Sequence, residues 1–236
     1  MPESTNDFYR EHAQEYAELA HYYAKLGSES AYINPSHPKM TSDWSIIHRM
    51  RELVPHSSQG LDAGCGAGAR DVFLYWSDGY DMVGVDAVEE NINVARSLHP
   101  EIGERVSVAD LRMPLPFGDS AFDFVMCNGV IQHIDPHLVQ TVTLPELVRV
   151  LRAGGVLQMV FKVGTGVITV FDKYYGVDRT FQLYEADDIV SQLRDLGMAL
   201  IPGDVDNLGG LMYFTDPKPV DHCLLFARRD DHGQRA

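Results

Sequence analysis

The chain is short of cysteine, of basic charge and of long apolar runs. Its 236 residues hold three cysteines, Cys65, Cys127 and Cys223, far apart and odd in number. That excludes a disulfide framework and gives no metal-ligand spacing, so no metal and a reducing cytoplasm are expected. No apolar run reaches the roughly 18 residues that suggest a membrane span, and MPESTNDFYREH lacks the apolar centre of a signal peptide. Lys and Arg number 19 against 34 acids, a formal charge of −15. A polyanion would be repelled at long range, and no basic cluster compensates: Arg228-Arg229 is followed at once by two aspartates. Nucleic acid and membrane are therefore not expected as partners. What is present is ordinary globular composition, 45% hydrophobic and 22% charged, enough for a sizeable core.

The chain opens with a helical pattern over about 6–26, where Tyr9, Tyr16 and Tyr23 fall seven apart and Gly27 is the stop. A second helix runs from Thr41 or Ser42 to Val54 and ends at Pro55. From there strands alternate with helices: QGLDAG, DMVGVD, RVSVAD, FDFVMCN and GVLQMVFKV are the strands, ARDVFLYWSDG, VEENINVARSLH, ELVRVLRAGG and EADDIVSQLRDLG the helices. Thr143 to Glu146 forms a capping box for the third of these helices, with Gly154-Gly155 as its stop. Two strand-like pieces, near MALIPGDV and VDHCLLFARR, finish the pattern. Such alternation predicts a parallel sheet covered on both faces, an α/β Rossmann-like three-layer sandwich. The expected division is a helical cap over 1–55, a main domain over 56–229 with an insertion at 163–184, and a disordered tail over 230–236.

LDAGCGAGA, residues 61–69, fits the dinucleotide fingerprint literally, with Gly64, Gly66 and a permitted Ala69. Asp86 ends the second strand 18 residues past Gly68. A carboxylate there accepts from ribose hydroxyls and so says ribose without naming the nucleoside. Asp62 and Asp110 make a pyrophosphate expensive nearby, although Arg70 offsets part of that. An acid-lined pocket suits a cationic ligand that carries a ribose.

On these residues the chain resembles class I S-adenosylmethionine-dependent methyltransferases, over roughly residues 40–228. LDAGCGAGA looks like that family's first motif and VGVDAVEENINVA like its second. VADLRMPLPFGDSAFDFVMCNGVIQHI looks like the third and fourth run together, and LPELVRVLRAGGVLQMV like the helix and strand that follow. The resemblance implies a seven-stranded, mostly parallel sheet with an antiparallel last strand, N-terminal helices as a lid, and S-adenosylmethionine as cofactor, leaving as S-adenosylhomocysteine. It places Gly64, Cys65 and Gly66 at the amino acid part of the cofactor and Asp62 behind that loop, favouring the ammonium. Asp86 holds the ribose, Ala87 and Val88 pack on the adenine, Asp110 accepts from the adenine amino group with Leu111 beside it, and Asn128 lies near the methionine portion. Tyr16 on the lid touches cofactor.

Methyl transfer is an in-line displacement that needs alignment, a dry site and, for a hydroxyl or ammonium acceptor, a base. His133, just beyond the fourth strand, is the base candidate; its alternative role is packing over the cofactor without proton transfer. His21 and Tyr22 on the first helix are candidates for substrate contact. So are Tyr174, Tyr175, Arg179 and Phe181 in the long aromatic segment after the fifth strand. The Asn/Asp-Pro-Pro-Tyr sequence of nucleobase amino-methyltransferases, the Pro-Cys of cytosine-C5 enzymes and the acid cluster of metal-dependent catechol enzymes are absent. The expectation is a methyltransferase acting on an O or N atom of a small molecule, as a monomer or homodimer. The alternatives are a tRNA- or protein-modifying enzyme of the same fold, an NAD-dependent dehydrogenase, or a cofactor-binding protein without catalysis.

Overall fold

The computed structural model describes residues 4–18, 32–216 and 220–231. Helix α1 (Ser4–Glu11) breaks at His12, and helical backbone resumes over 13–18. Then follow α2 (Asp43–Leu53), β1 (Gln59–Ala63), α3 (Arg70–Ser77), β2 (Asp81–Asp86), α4 (Glu89–Leu98), β3 (Val106–Val108) and β4 (Phe122–Asn128). Helix α5 (Leu144–Val150) leads into β5 (Leu151–Lys162), and a hairpin of β6 (Val167–Asp172) and β7 (Val177–Gln182) comes next. Helix α6 (Ala186–Asp195), β8 (Met198–Leu200), β9 (Leu211–Thr215) and β10 (Asp221–Arg229) complete the order.

The main sheet runs β3-β2-β1-β4-β5-β10-β8. The first five strands are mutually parallel and β10 is antiparallel to its neighbours. The outer edge of β10 is shared by two short strands: β8 pairs with Ala227–Arg229 and β9 with Asp221–Leu225. Seven positions are thus filled by eight strands. Strand β4 shows why both faces had to be covered. Phe124 and Met126 enter one core with Met82, Val156 and Phe226, while Val125 and Cys127 enter the opposite core with Leu61, Val85 and Leu157. A near-continuous apolar run is what a doubly covered parallel strand requires. Each fully buried side chain such as Phe124 contributes about 1.5–3 kcal/mol over its exposed state.

Two local expectations are corrected. Thr143 has helical backbone angles and no cap bond, so TLPE does not open a helix. The helical run starts earlier, at Pro136, where Asp135 accepts from the His137 N–H at 2.9 Å. Thr143 instead donates to the Leu111 carbonyl at 2.9 Å, and Glu146 accepts from the Leu115 N–H at 2.6 Å, pinning the loop after β3. The helix ends at Val150, before Gly154-Gly155. Those glycines lie inside β5, where a Cβ on Gly155 would sit 2.9 Å from the Asp123 carbonyl oxygen, so Gly155 permits close approach to β4, while Gly154 takes a φ of +76. The insertion expected after β5 is a two-stranded hairpin, its turn closed at Gly176 with φ +67.

Candidate active site

A cleft of about 700 Å³, open to solvent, lies where the first four parallel strands end. This is the ligand side of a doubly wound sheet. Gly64 and Gly66 come from the turn after β1, Asp86 from the end of β2, Asp110 from just beyond β3, and Asn128 from the end of β4. Ala87, Val88 and Leu111 line it too, as expected. From above, Asn6, Tyr9 and Tyr16 close it, carried by a helical segment whose Ala13 and Ala17 pack on Ala67.

The glycine loop is committed internally. The N–H groups of Gly64 and Cys65 both donate to the Val85 carbonyl, at 2.8 and 2.9 Å, and that of Gly66 donates to Asp86 Oδ2 at 3.0 Å. A pyrophosphate needs such N–H groups bare, and here the first three are spent. What the loop offers a ligand is close approach. Gly64 and Gly66 have φ of +103 and +64, and added Cβ atoms would meet Val130 at 2.3 Å and Tyr16 at 2.8 Å. These positions need glycine for conformation and for space.

Asp86 is the organising acid. Its Oδ1 accepts from the Val88 N–H at 2.9 Å and from Asn91 Nδ2 at 3.0 Å, while Oδ2 takes only the Gly66 N–H. Each carboxylate oxygen has two lone pairs, so Oδ2 keeps one for a hydroxyl. Burial, only partly offset by these donors, pushes the Asp86 carboxyl above its ordinary value. Asp110 is differently placed: Arg112 grips both its oxygens, with Nε at 2.9 Å from each and Nη2 at 2.6 Å from Oδ2. Burial acts the other way, but the Arg112 bonds hold the Asp110 carboxyl below the usual range. An adenine amino group reaches it only if the Arg112 fork turns aside.

Two expected cofactor residues lie behind the cleft and do not line it. Cys65 packs under Gly84, a Cβ there meeting its Sγ at 3.0 Å. Asp62 is buried within β1, 5% exposed, beside Arg70, Asp71 and Asp86. Burial first, then the Asp71 charge, raise its carboxyl well above the ordinary value despite Arg70. The folded state therefore holds this proton more tightly than the unfolded chain. Stability from it is complete below the unfolded value near 4 and is lost as pH rises through the folded value. Cofactor-free Asp62→Asn is expected to melt above the wild type at pH 8, with the gap shrinking toward pH 4. A variant that melts below wild type at every pH would contradict this burden on β1.

At the other end of the cleft, Asn128 Oδ1 accepts from buried Gln158 at 3.0 Å, which fixes its amide and leaves its NH₂ as donor. His133 sits on a turn braced by Tyr184, whose hydroxyl faces the carbonyls of Ile131 and Ile134 at 3.1 and 2.8 Å. Tyr9 Oη lies 3.1 Å from His133 Nε2 and also accepts from Arg179 of the hairpin. Of the expected substrate residues, Arg179, Tyr175 and Phe181 gather around this Tyr9–His133 pair without lining the cleft. Phe181 is 5.4 Å from the His133 ring and Tyr175 is 5.0 Å from Phe8. Tyr174 points away, 60% exposed at the hairpin turn. His21 and Tyr22 lie outside the described residues. Sequence reasoning missed Tyr9, Asn91 and Arg112. The seven-residue tyrosine spacing held the signal for the first, and Arg112, two residues past Asp110, was adjacent to a named acid. Among the described residues no His/Cys/Asp/Glu group is arranged to hold a metal, and no helix is long and apolar enough to cross a membrane.

Residues 61–159 match the family model described as a methyltransferase domain. An uncharacterized methyltransferase of Mycobacterium tuberculosis strain H37Rv is 30% identical over 127 residues, 54% of this chain and 46% of the relative. Trans-aconitate 2-methyltransferase of Azoarcus sp. is 36% identical over 99 residues, 41% of this chain and 36% of the relative. The chain spans about half the length, or less, of these curated relatives. Among solved structures, Burkholderia thailandensis 1,6-didemethyltoxoflavin-N1-methyltransferase, with 1,6-didemethyltoxoflavin and S-adenosylhomocysteine bound, superposes with a TM-score of 0.59. It is 18% identical, over 93% of this chain and 87% of that one. Fold and site together define a Rossmann-like domain of the methyltransferase type, with its cleft at the carboxyl ends of the parallel strands. Over residues 61–159 the chain is thus similar to methyltransferase domains, a family whose cofactor is S-adenosylmethionine.

Proposed function

We propose that the protein moves a methyl group from S-adenosylmethionine to an O or N atom of a small-molecule acceptor by in-line displacement. The observation that carries this is one cleft with two chemically different ends: a ribose-ready carboxylate and glycine cradle at one, a His133–Tyr9 pair at the other. The residues fit the cofactor by their donor set, since Asp86 keeps a free acceptor site while the loop's first N–H groups are committed. When bound, the cofactor supplies an electrophilic methyl on a good leaving group. Asp86 holds the ribose, Gly64 and Gly66 admit the chain next to it, and Asn128 offers its amide donor. The helical cover with Tyr9 and Tyr16 excludes water, and His133 accepts the acceptor's proton. Relatives named for trans-aconitate and didemethyltoxoflavin support a small acceptor, and a formal charge of −15 disfavours RNA.

The test is release of S-adenosylhomocysteine during incubation with S-adenosylmethionine and a panel of hydroxyl- and amine-bearing metabolites. Release that depends on one acceptor, with an O- or N-methylated product by mass spectrometry, is expected. Release only with tRNA or protein fractions would move the enzyme to the macromolecule-modifying class.

A further inference from the structure

The Tyr9 oxygen is held by groups that arrive from two distant parts of the chain. Arg179 Nη2 donates to it, and Arg179 is in turn paired with Asp172 Oδ2 at 3.2 Å, a carboxylate with no exposed surface. The guanidinium lies among rings, 4.3 Å from the Phe8 centroid, 5.1 Å from Tyr9 and 5.0 Å from Phe181. It is boxed in by a carboxylate and aromatic faces and cannot lose its proton. It is therefore a donor to Tyr9 in every state. A phenol has one proton and two lone pairs. One lone pair is taken by Arg179, which draws electron density from the oxygen and makes its O–H the better donor. The only ring nitrogen in reach is His133 Nε2 at 3.1 Å among the described residues. The assignment that follows is Tyr9 O–H donating to an unprotonated Nε2, with the second lone pair of Tyr9 left toward the cleft that Tyr9 lines.

We propose, resting on the methyltransferase reading above, that Tyr9 is a catalytic residue that relays the proton of a hydroxyl acceptor to His133, with Arg179 as its positioning residue. The acceptor oxygen uses a lone pair to form the bond to the methyl carbon. The sulfur–methyl bond breaks with its electron pair left on sulfur. The acceptor's proton passes to the Tyr9 oxygen as the Tyr9 proton passes to His133 Nε2. The positive charge of the sulfonium ends on the imidazolium, so charge and atoms balance. The relay serves an acceptor with a proton to lose, here the hydroxyl of an alcohol or phenol, in contrast to a carboxylate, which has none.

The test uses the whole chain, labelled with ¹⁵N at histidine and saturated with S-adenosylhomocysteine, with the His133 resonances identified by their loss in His133→Gln. Calorimetry with the same compound comes first; absence of binding to wild type would overturn the methyltransferase reading itself. With binding intact, the relay predicts that neutral His133 carries its proton on Nδ1. Tyr9→Phe, which keeps the ring against Arg179, should shift that tautomer while leaving S-adenosylhomocysteine affinity within about threefold. Arg179→Lys, which retains a cation, should fall between the two. A folded, ligand-binding wild type with the proton on Nε2, or a Tyr9→Phe spectrum identical to wild type, would overturn the relay alone. On the acceptor found by the screen above, Tyr9→Phe should lower kcat about 10²–10⁴-fold with KM for S-adenosylmethionine little changed. An acceptor methylated on a carboxylate would also overturn it.

Discussion

Asp86→Ala is expected to weaken binding of both S-adenosylmethionine and S-adenosylhomocysteine by about 100-fold or more. A hydrogen bond to a charged group is worth about 1.5–3 kcal/mol, and 1.4 kcal/mol is a factor of ten. The open lone pair on Oδ2 accounts for one such bond to a ribose hydroxyl. The rest of the loss comes from the loop. Without the carboxylate, the N–H groups of Gly66 and Val88 and the Asn91 amide lose their shared acceptor, and the turns after β1 and β2 are no longer tied together. Asp86→Asn keeps one oxygen acceptor and should fall between the two, because its new NH₂ opposes the donors already pointing at it. Calorimetric titration of variants with wild-type circular dichroism checks this. Wild-type affinity in a folded Asp86→Ala protein would place the nucleoside elsewhere.

Gly64→Ala should cost folding stability as well as binding. At φ +103 an L-residue is strained by about 1–3 kcal/mol. Its Cβ would also lie 2.3 Å from Val130 Cγ2, in the cleft wall. The expected result is a loss of about 2–4 kcal/mol in chemical denaturation, with cofactor affinity lost beyond detection. Adding Val130→Ala removes the clash and leaves the backbone strain, so the double variant should recover part of the stability and little of the binding. A single variant with the wild-type denaturation midpoint would contradict the cradle geometry.

The parts of this site that were legible in the sequence are those set by local spacing. The glycine turn, Asp86 and Asn128 each end a strand, and strand ends follow from short-range periodicity. Asp62 was read as a second cofactor acid, yet alternation along β1 turns it into the core beside Arg70 and Asp71. The electrostatic contrast with a dinucleotide site therefore rests less on lining acids than on N–H groups already consumed by Val85 and Asp86. The TLPE box misled because a capping pattern describes a helix in isolation, and here Thr143 and Glu146 bond to the loop at Leu111 and Leu115 instead. The segment after β5 was read only as a long aromatic insertion, although β-branched alternation in VITVF and Gly176 at the turn carry the hairpin signal. The Tyr9–His133 and Tyr9–Arg179 bonds were not legible, for they join residues 124 and 170 positions apart. Only the sheet order and the fold-back of the first helix bring those together.

The central claim is that this cleft takes a sulfonium nucleoside and refuses a dinucleotide. Calorimetric titration of the wild-type protein with S-adenosylmethionine, S-adenosylhomocysteine and NAD tests it directly. Saturable binding of both sulfur compounds at micromolar concentration or below, with no heat from NAD, is the predicted result; binding of NAD and of neither sulfur compound would contradict it.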